Sequence, residues 1–378
     1  MLTFFNRNSK NTKTSPASRP FVLSLAGGLL GIALLIYIVG YSNVFALTYT
    51  GAVDAMAQTQ IATSTPPKPT LAPLDTLAYN SKLLAIANYP APVGTTTISS
   101  TTLAARLWPV KTAYPKAGAL LPFNRIVAYY GNFYSTQMGV LGQYPEDVML
   151  QKLASTTAAW AAADPSTPVI PAIDYIAITA QGSPGADGKY RARMPNSQID
   201  HALELAKKVN GIVILDLQVG LSTLPQELPL LDTYLKMPQV EVAIDPEFAM
   251  HNGAKPGTVI GSFDATDINY AANYLAKIVD YNNLPPKILI VHRFTGPMVT
   301  HYKNITPLPE VQIVMDMDGW GSPSRKLGTY NAFIALMPVE FTGFKLFYKN
   351  DIKPPSTRML TPAEILKLTP QPLFIQYQ

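Results

Sequence analysis

GIVILDLQVGLSTLPQELPLLDTYLKMPQVEVAIDPEF, Gly211 to Phe248, holds two short apolar runs, GIVILDLQ (Gly211 to Gln218) and VEVAID (Val240 to Asp245). Each is rich in Val and Ile and nearly continuous in hydrophobicity, the pattern of a strand buried on both faces. The stretch between them is far longer than a hairpin turn but long enough for the crossover that joins parallel strands. Six more runs repeat the pattern on either side. They are RIVAYY (Arg125 to Tyr130), VIPAIDYIAI (Val169 to Ile178), KILIVHRF (Lys287 to Phe294), VQIVMDMD (Val311 to Asp318), FKLFYK (Phe344 to Lys349) and LFIQYQ (Leu373 to Gln378). Amphipathic stretches alternate with them, and eight such units predict an α/β fold, a (β/α)8 TIM barrel over residues 121–378.

The stretches between carry helix-start signals. Pro145-Glu146 opens one helix, Asn196 or Ser197 caps the next, and Thr361-Pro362-Ala363-Glu364 reads as a capping box. Asp264 with Asp267 makes a similar start, which gives those acids a structural role. No helix follows the eighth strand, so the segment before Arg125 is expected to cover its outer face.

Upstream of the barrel the chain changes character twice. Phe21 to Tyr41, FVLSLAGGLLGIALLIYIVGY, lies in an uncharged stretch from Pro20 to Val53 and is long enough to span a bilayer as one helix. Arg7, Lys10, Lys13 and Arg19 precede it with no acid among them. The positive-inside rule then leaves the N-terminus (1–19) in the cytoplasm, makes residues 20–48 a single-pass anchor in the cell membrane, and sends the remainder outside the cytoplasm. Residues 49–120 are rich in Thr, Ser, Ala and Pro and read as a stalk, with Ser81 to Asn88 and Leu103 to Trp108 apolar enough to dock on the barrel. The four leading cations account for most of the net charge of +5, since the chain carries 29 basic and 24 acidic residues. The rest is nearly balanced, which argues against a nucleic-acid partner. With no cysteine there is no disulfide, lipidated thiol or thiolate metal site.

In a barrel of this kind ligands sit at the C-terminal ends of the strands. Here those ends carry Tyr129 and Tyr130, Asp174, Asp216, Asp245 with Glu247, His292, Asp316 with Asp318, Tyr348 and Gln376. One acid at a strand end is an ordinary cap or ion-pair partner. Acids or histidine on five strands around one rim favour a ligand site, with the carboxylates partly desolvated so that their pKa values are pushed apart. AIDPEF (Ala243 to Phe248) is the sharpest motif. In an extended backbone Asp245 and Glu247, two apart, point to the same side.

The D-x-E ending the fourth strand resembles the last part of the D-x-x-D-x-D-x-E motif of chitinase-like glycoside hydrolases. That resemblance implies Glu247 as proton donor and Asp245 as its electrostatic partner, while the earlier acidic positions of the motif fall on Val240 and Ala243. The wider chain, from Arg125 to Gln378, looks similar to uncharacterised secreted or membrane-anchored bacterial barrel proteins with D-P-E-F and V-H-x-F strand ends. Asp216 and Asp318 are further candidates for the second carboxylate that glycoside hydrolysis requires.

Tyr129, Tyr130, Trp320 and Tyr348 are candidates to stack on sugar rings or pack the mouth, and Asp174, His292 and Gln376 to bond a substrate. The loop AQGSPGADGKYRARMP (Ala180 to Pro195), basic through Lys189, Arg191 and Arg193, reads either as a lid recognising an anionic group or as a solvated surface loop. No nucleophile elbow, H-E-x-x-H or dinucleotide fingerprint is present. The expectation is a membrane-anchored protein that acts on, or binds, an envelope or extracellular glycan through paired carboxylates and needs no cofactor. A divalent metal held by Asp216, Asp245, Glu247, His292 and Asp316, making a metal-dependent hydrolase, is the first alternative. A non-catalytic glycan-binding or scaffolding barrel is the second.

Overall fold

Eight parallel strands close into a barrel: β1 (Arg125–Gly131), β2 (Val169–Ala180), β3 (Ile212–Leu217), β4 (Val240–Ile244), β5 (Lys287–Arg293), β6 (Val311–Met317), β7 (Phe341–Leu346) and β8 (Phe374–Tyr377). Each pairs with its successor, and β8 returns to β1 through Phe374 beside Ile126 and Tyr377 beside Tyr129. The computed structural model describes residues 71–89 and 106–378. The anchor and basic tail expected from the sequence lie outside the described residues. Among the described residues no helix is long and apolar enough to cross a membrane.

Alternation along each strand sorts the apolar side chains into two cores. Ile126, Ala128, Ala172, Ile214, Ala243, Ile290 and Val314 fill the barrel interior. Val127, Ile173, Val213, Leu215, Val242, Leu289 and Ile313 point outward to the helices. The long helices are α1 (Thr76–Ala87), α2 (Glu146–Ala163), α3 (Asn196–Lys208), α4 (Ala265–Asn282) and α5 (Pro323–Tyr330). The capping boxes form as read, Asp264 with Asp267 on α4 and Thr361 with Glu364 on the single turn Pro362–Ile365. Asn196 does not cap α3; it is already helical behind Pro195. The β3–β4 crossover is three single turns over residues 224–235, and the β5–β6 connection holds the two-residue strand Val299–Thr300, paired with Phe263–Asp264, and the turn Tyr302–Asn304.

Among the described residues, the segment before β1 packs at the barrel's N-terminal end rather than on the outer face of β8. Tyr79 and Ile86 of α1 join Leu121, Ile126 and Phe374 in the interior core, so α1 closes the barrel's N-terminal end. Trp160 of α2 covers β8 instead, its Nε1 donating to Tyr377 Oη at 2.9 Å. An apolar plug beneath the strands leaves the opposite end open, where the strand ends carry polar residues.

Candidate active site

A cleft of about 820 Å³ opens at the C-terminal ends of the strands, and Tyr130, Asp245, Glu247, Asp318 and Trp320 all line it. Register explains the layer beneath. Tyr130 pairs with Asp174, Asp216 with Ala243, His292 with Asp316 and Lys345 with Gln376, so the inward positions of neighbouring strands reach one polar level just above the apolar core.

At that level His292 is buried between two carboxylates, Nε2 at 2.9 Å from Asp216 Oδ2 and Nδ1 at 3.0 Å from Asp316 Oδ2. Burial opposes a charged imidazole, but Asp216, Asp316 and Asp318 outweigh it and raise its pKa well above the ordinary value. As imidazolium it donates from both nitrogens, leaving no lone pair for a metal. Among the described residues, no three His, Asp or Glu side chains are grouped to hold a metal ion, so the set considered for a divalent cation is not assembled. Gln376 Nε2 donates to Asp174 Oδ2 at 2.5 Å. Burial first, then the charge of Asp216, pushes the Asp174 carboxyl far above the carboxylate range. Asp174, Asp216, His292 and Gln376 thus form the floor under the cleft rather than its lining.

Asp245 and Glu247 both face the cleft, though not through an extended backbone. The chain leaves β4 at Ile244 and enters a 3-10 turn, Pro246–Phe248, in which the Asp245 carboxylate accepts the Glu247 N–H at 3.0 Å. Burial raises the Asp245 pKa well above the usual range, with Glu247 and Asp216 adding to the shift and His292 opposing it. Glu247 is pushed up to about 7 by burial and then by the charge of Asp318. Asp318 has a different environment: Lys345 Nζ lies 3.1 Å from its Oδ1.

Lys345 was not singled out from the sequence. It is buried on β7, 4.0 Å from the centroid of the Tyr130 ring, and its charge survives burial because Asp318, Asp245, Asp316 and Asp216 surround it. The available signal was a lone cation inside the apolar run Phe344-Lys345-Leu346-Phe347. Gln218, a polar residue read at the end of the third run, holds Tyr130 by donating to its Oη at 3.0 Å.

Two expected substrate contacts lie elsewhere. Tyr129, next to Tyr130 on a strand, faces the opposite side and bonds Thr156 of α2 at 2.8 Å and Tyr348 at 3.0 Å. Tyr348 stacks on Tyr377 with ring centroids 5.3 Å apart, in the layer between barrel and helices. Its displacement follows from β7, which spans Phe341–Leu346 instead of Phe344 to Lys349. Nor does the 180–195 loop offer its arginines to a ligand. Arg191 and Arg193 both close on the buried Glu227, at 2.7 Å each.

No family model matches the chain, and no curated protein matches it. Among solved structures it is similar to a GH5-4 broad specificity endoglucanase from an uncultured bovine rumen ciliate. That match has 10% identity and a TM-score of 0.30, over 55% of this chain and 73% of that chain. The chemistry of the cleft therefore rests on this chain's own residues.

Proposed function

We propose that the protein is a membrane-anchored, extracytoplasmic glycoside hydrolase, with Glu247 as the proton donor and Asp318 as the second carboxylate. The observation that carries this reading is the opposed setting of two acids in one cleft. Glu247 is lifted to about 7 and so keeps a proton to give, while Asp318 has the Lys345 ammonium at 3.1 Å as counter-charge. A carboxyl that keeps its proton, sharing a cleft with a second carboxylate that is ion-paired to a lysine, suits the acid and the anionic partner of glycosidic cleavage. Glu247 would protonate the leaving oxygen while Asp318 either takes a proton from the water that attacks the anomeric carbon, or attacks that carbon itself to give a glycosyl ester that water then hydrolyses. Asp245 suits that second role less well, since burial favours its neutral form. Asp216 is tied to His292 below the cleft. Phe21 to Tyr41 supplies the anchor in this reading.

The test is a screen of the full chain against peptidoglycan, chitin and mixed surface polysaccharides, beside Glu247→Gln and Asp318→Asn. Loss of a general acid lowers turnover by about 10²–10⁴-fold. Glu247→Gln should show that loss while still binding, and parent activity should fall as pH rises through about 7, where Glu247 gives up its proton. Absence of turnover on every glycan, with binding intact in parent and mutant, would replace the hydrolase with a glycan-binding barrel. Activity abolished by a chelator and restored by a divalent ion would favour the metal-dependent alternative.

A further inference from the structure

Building on the glycan reading, we propose that the rim of the cleft is a subsite for an anionic sugar, formed by Trp320, Arg325 and Lys353, which selects polysaccharides bearing carboxylate or sulfate groups. Trp320 is 47% exposed, and it lines the cleft together with Arg325. The Arg325 guanidinium lies 5.4 Å from the indole centroid and the Lys353 ammonium 5.8 Å from it. Two like charges gathered on one ring repel each other, and the indole offsets only part of that. The acids closest in sequence are already engaged, Asp318 by Lys345 at 3.1 Å and Asp351 by Lys326 at 2.9 Å. Among the described residues neither Arg325 nor Lys353 has a carboxylate partner, so a ligand anion is the missing counter-charge.

The rim is held in place for such a ligand. Lys326, buried, donates to Gly319 O and to Lys345 O at 2.8 Å each, tying the loop after β6 to β7. Asp351 Oδ1 in turn accepts the Gly321 N–H at 3.0 Å. Gly321 sits at φ +141°, and a Cβ there would meet Arg325 Cδ at 2.8 Å, so glycine is what lets the arginine lie across the loop. Electrostatics then sort the ligand. The two cations at Trp320 draw an anionic group to the rim. Arg191 and Arg193 cannot take that part, because Glu227 holds both.

Trp108 and Trp160 are buried, so quenching of tryptophan emission on titration reports Trp320. The experiment titrates the full chain carrying Glu247→Gln with an oligogalacturonide (carboxylate only), a carrageenan oligosaccharide (sulfate only) and a neutral cello-oligosaccharide, with Trp320→Phe as the signal control. At least one anionic probe should bind about tenfold or more tighter than the neutral one, as expected for a charge-assisted contact. That preference should fade with added salt and collapse in Arg325→Gln/Lys353→Gln. The better anionic probe identifies which group the rim reads. Equal affinity for all three probes, or a preference that survives the double substitution, would overturn the proposal. Turnover of a neutral glycan by the parent without any anionic preference removes the subsite and leaves the hydrolase. Anionic preference without turnover of any glycan removes hydrolysis and leaves the subsite.

Discussion

Gly343 and Lys345 share β7, and acids on the neighbouring strand β6 or at its end explain both. A Cβ on Gly343 would stand 2.5 Å from Asp316 Oδ1 and 2.9 Å from Phe374 Cδ1, so the missing side chain is what admits the Asp316 carboxylate beside His292. Overpacking of this kind costs about 1–3 kcal/mol. Gly343→Ala should therefore lower the urea midpoint, and an unchanged midpoint would show that the slot can relax. Lys345→Met removes a buried counter-charge, which costs about 3–5 kcal/mol when its partner stays behind. It also has a signature that a structural role alone lacks. Lys345 lowers the Glu247 pKa, so its loss should move the alkaline limb of any turnover above 7. A limb that stays in place would separate Lys345 from the acid's titration. Neither residue stands out in the sequence, because a glycine within an apolar run reads as a break and a single lysine as a surface residue. Tyr129 and Tyr130 show the complementary limit: adjacent tyrosines read alike until the strand's facing puts one in the cleft and the other behind it.

At the scale of elements, the capping boxes and the runs that became strands were legible because their signals are local. The lid-like loop was not. Arg191–Arg193 pairs as a short antiparallel strand with the end of β2, and its arginines clamp on Glu227, which lies beyond β3. Burial works against a charged Glu227, yet Arg193, Ser222 and Arg191 hold its carboxyl below the ordinary range. Glu227→Gln would leave Arg191 buried with no equal counter-charge and release the loop from its anchor. Limited digestion with trypsin should then cut the mutant faster after Lys189, Arg191 or Arg193 than the parent. Equal rates would mean that the backbone pairing with β2 suffices to hold the loop.

Across the whole molecule, buried acids set how stability varies with pH. Burial pushes Glu241 up to about 7, Glu247 to about 7 and Glu340 to about 8, from 4.5. A carboxyl raised in the folded state binds its proton better there, so its contribution is complete below 4.5 and is lost as pH climbs through 7 to 8. His292, also raised, acts in the same direction, its contribution being complete below the ordinary 6.5 and lost as pH climbs through its raised pKa. Glu364 and Asp164 have the opposite sign. Glu364 is held at about 2 chiefly by Arg358, while Asp164 overcomes its burial through Ser166, Thr167 and Arg125 to reach about 2. Their contributions exist above the unfolded values of 4.5 and 3.8 and vanish as pH falls through about 2. The melting temperature should accordingly peak near about pH 5 and decline toward pH 8. A peak above neutrality would mean that the buried glutamates ionise in the folded barrel. The sequence by itself determined the closed parallel barrel and the end at which its polar residues gather, since buried strands and their ends are written as local alternations of apolar and polar text. Only the tertiary structure decided which of those residues share the cleft. Facing, register and the Lys345, Glu227 and Lys326 pairings join residues far apart in the chain, and nothing local records that they meet.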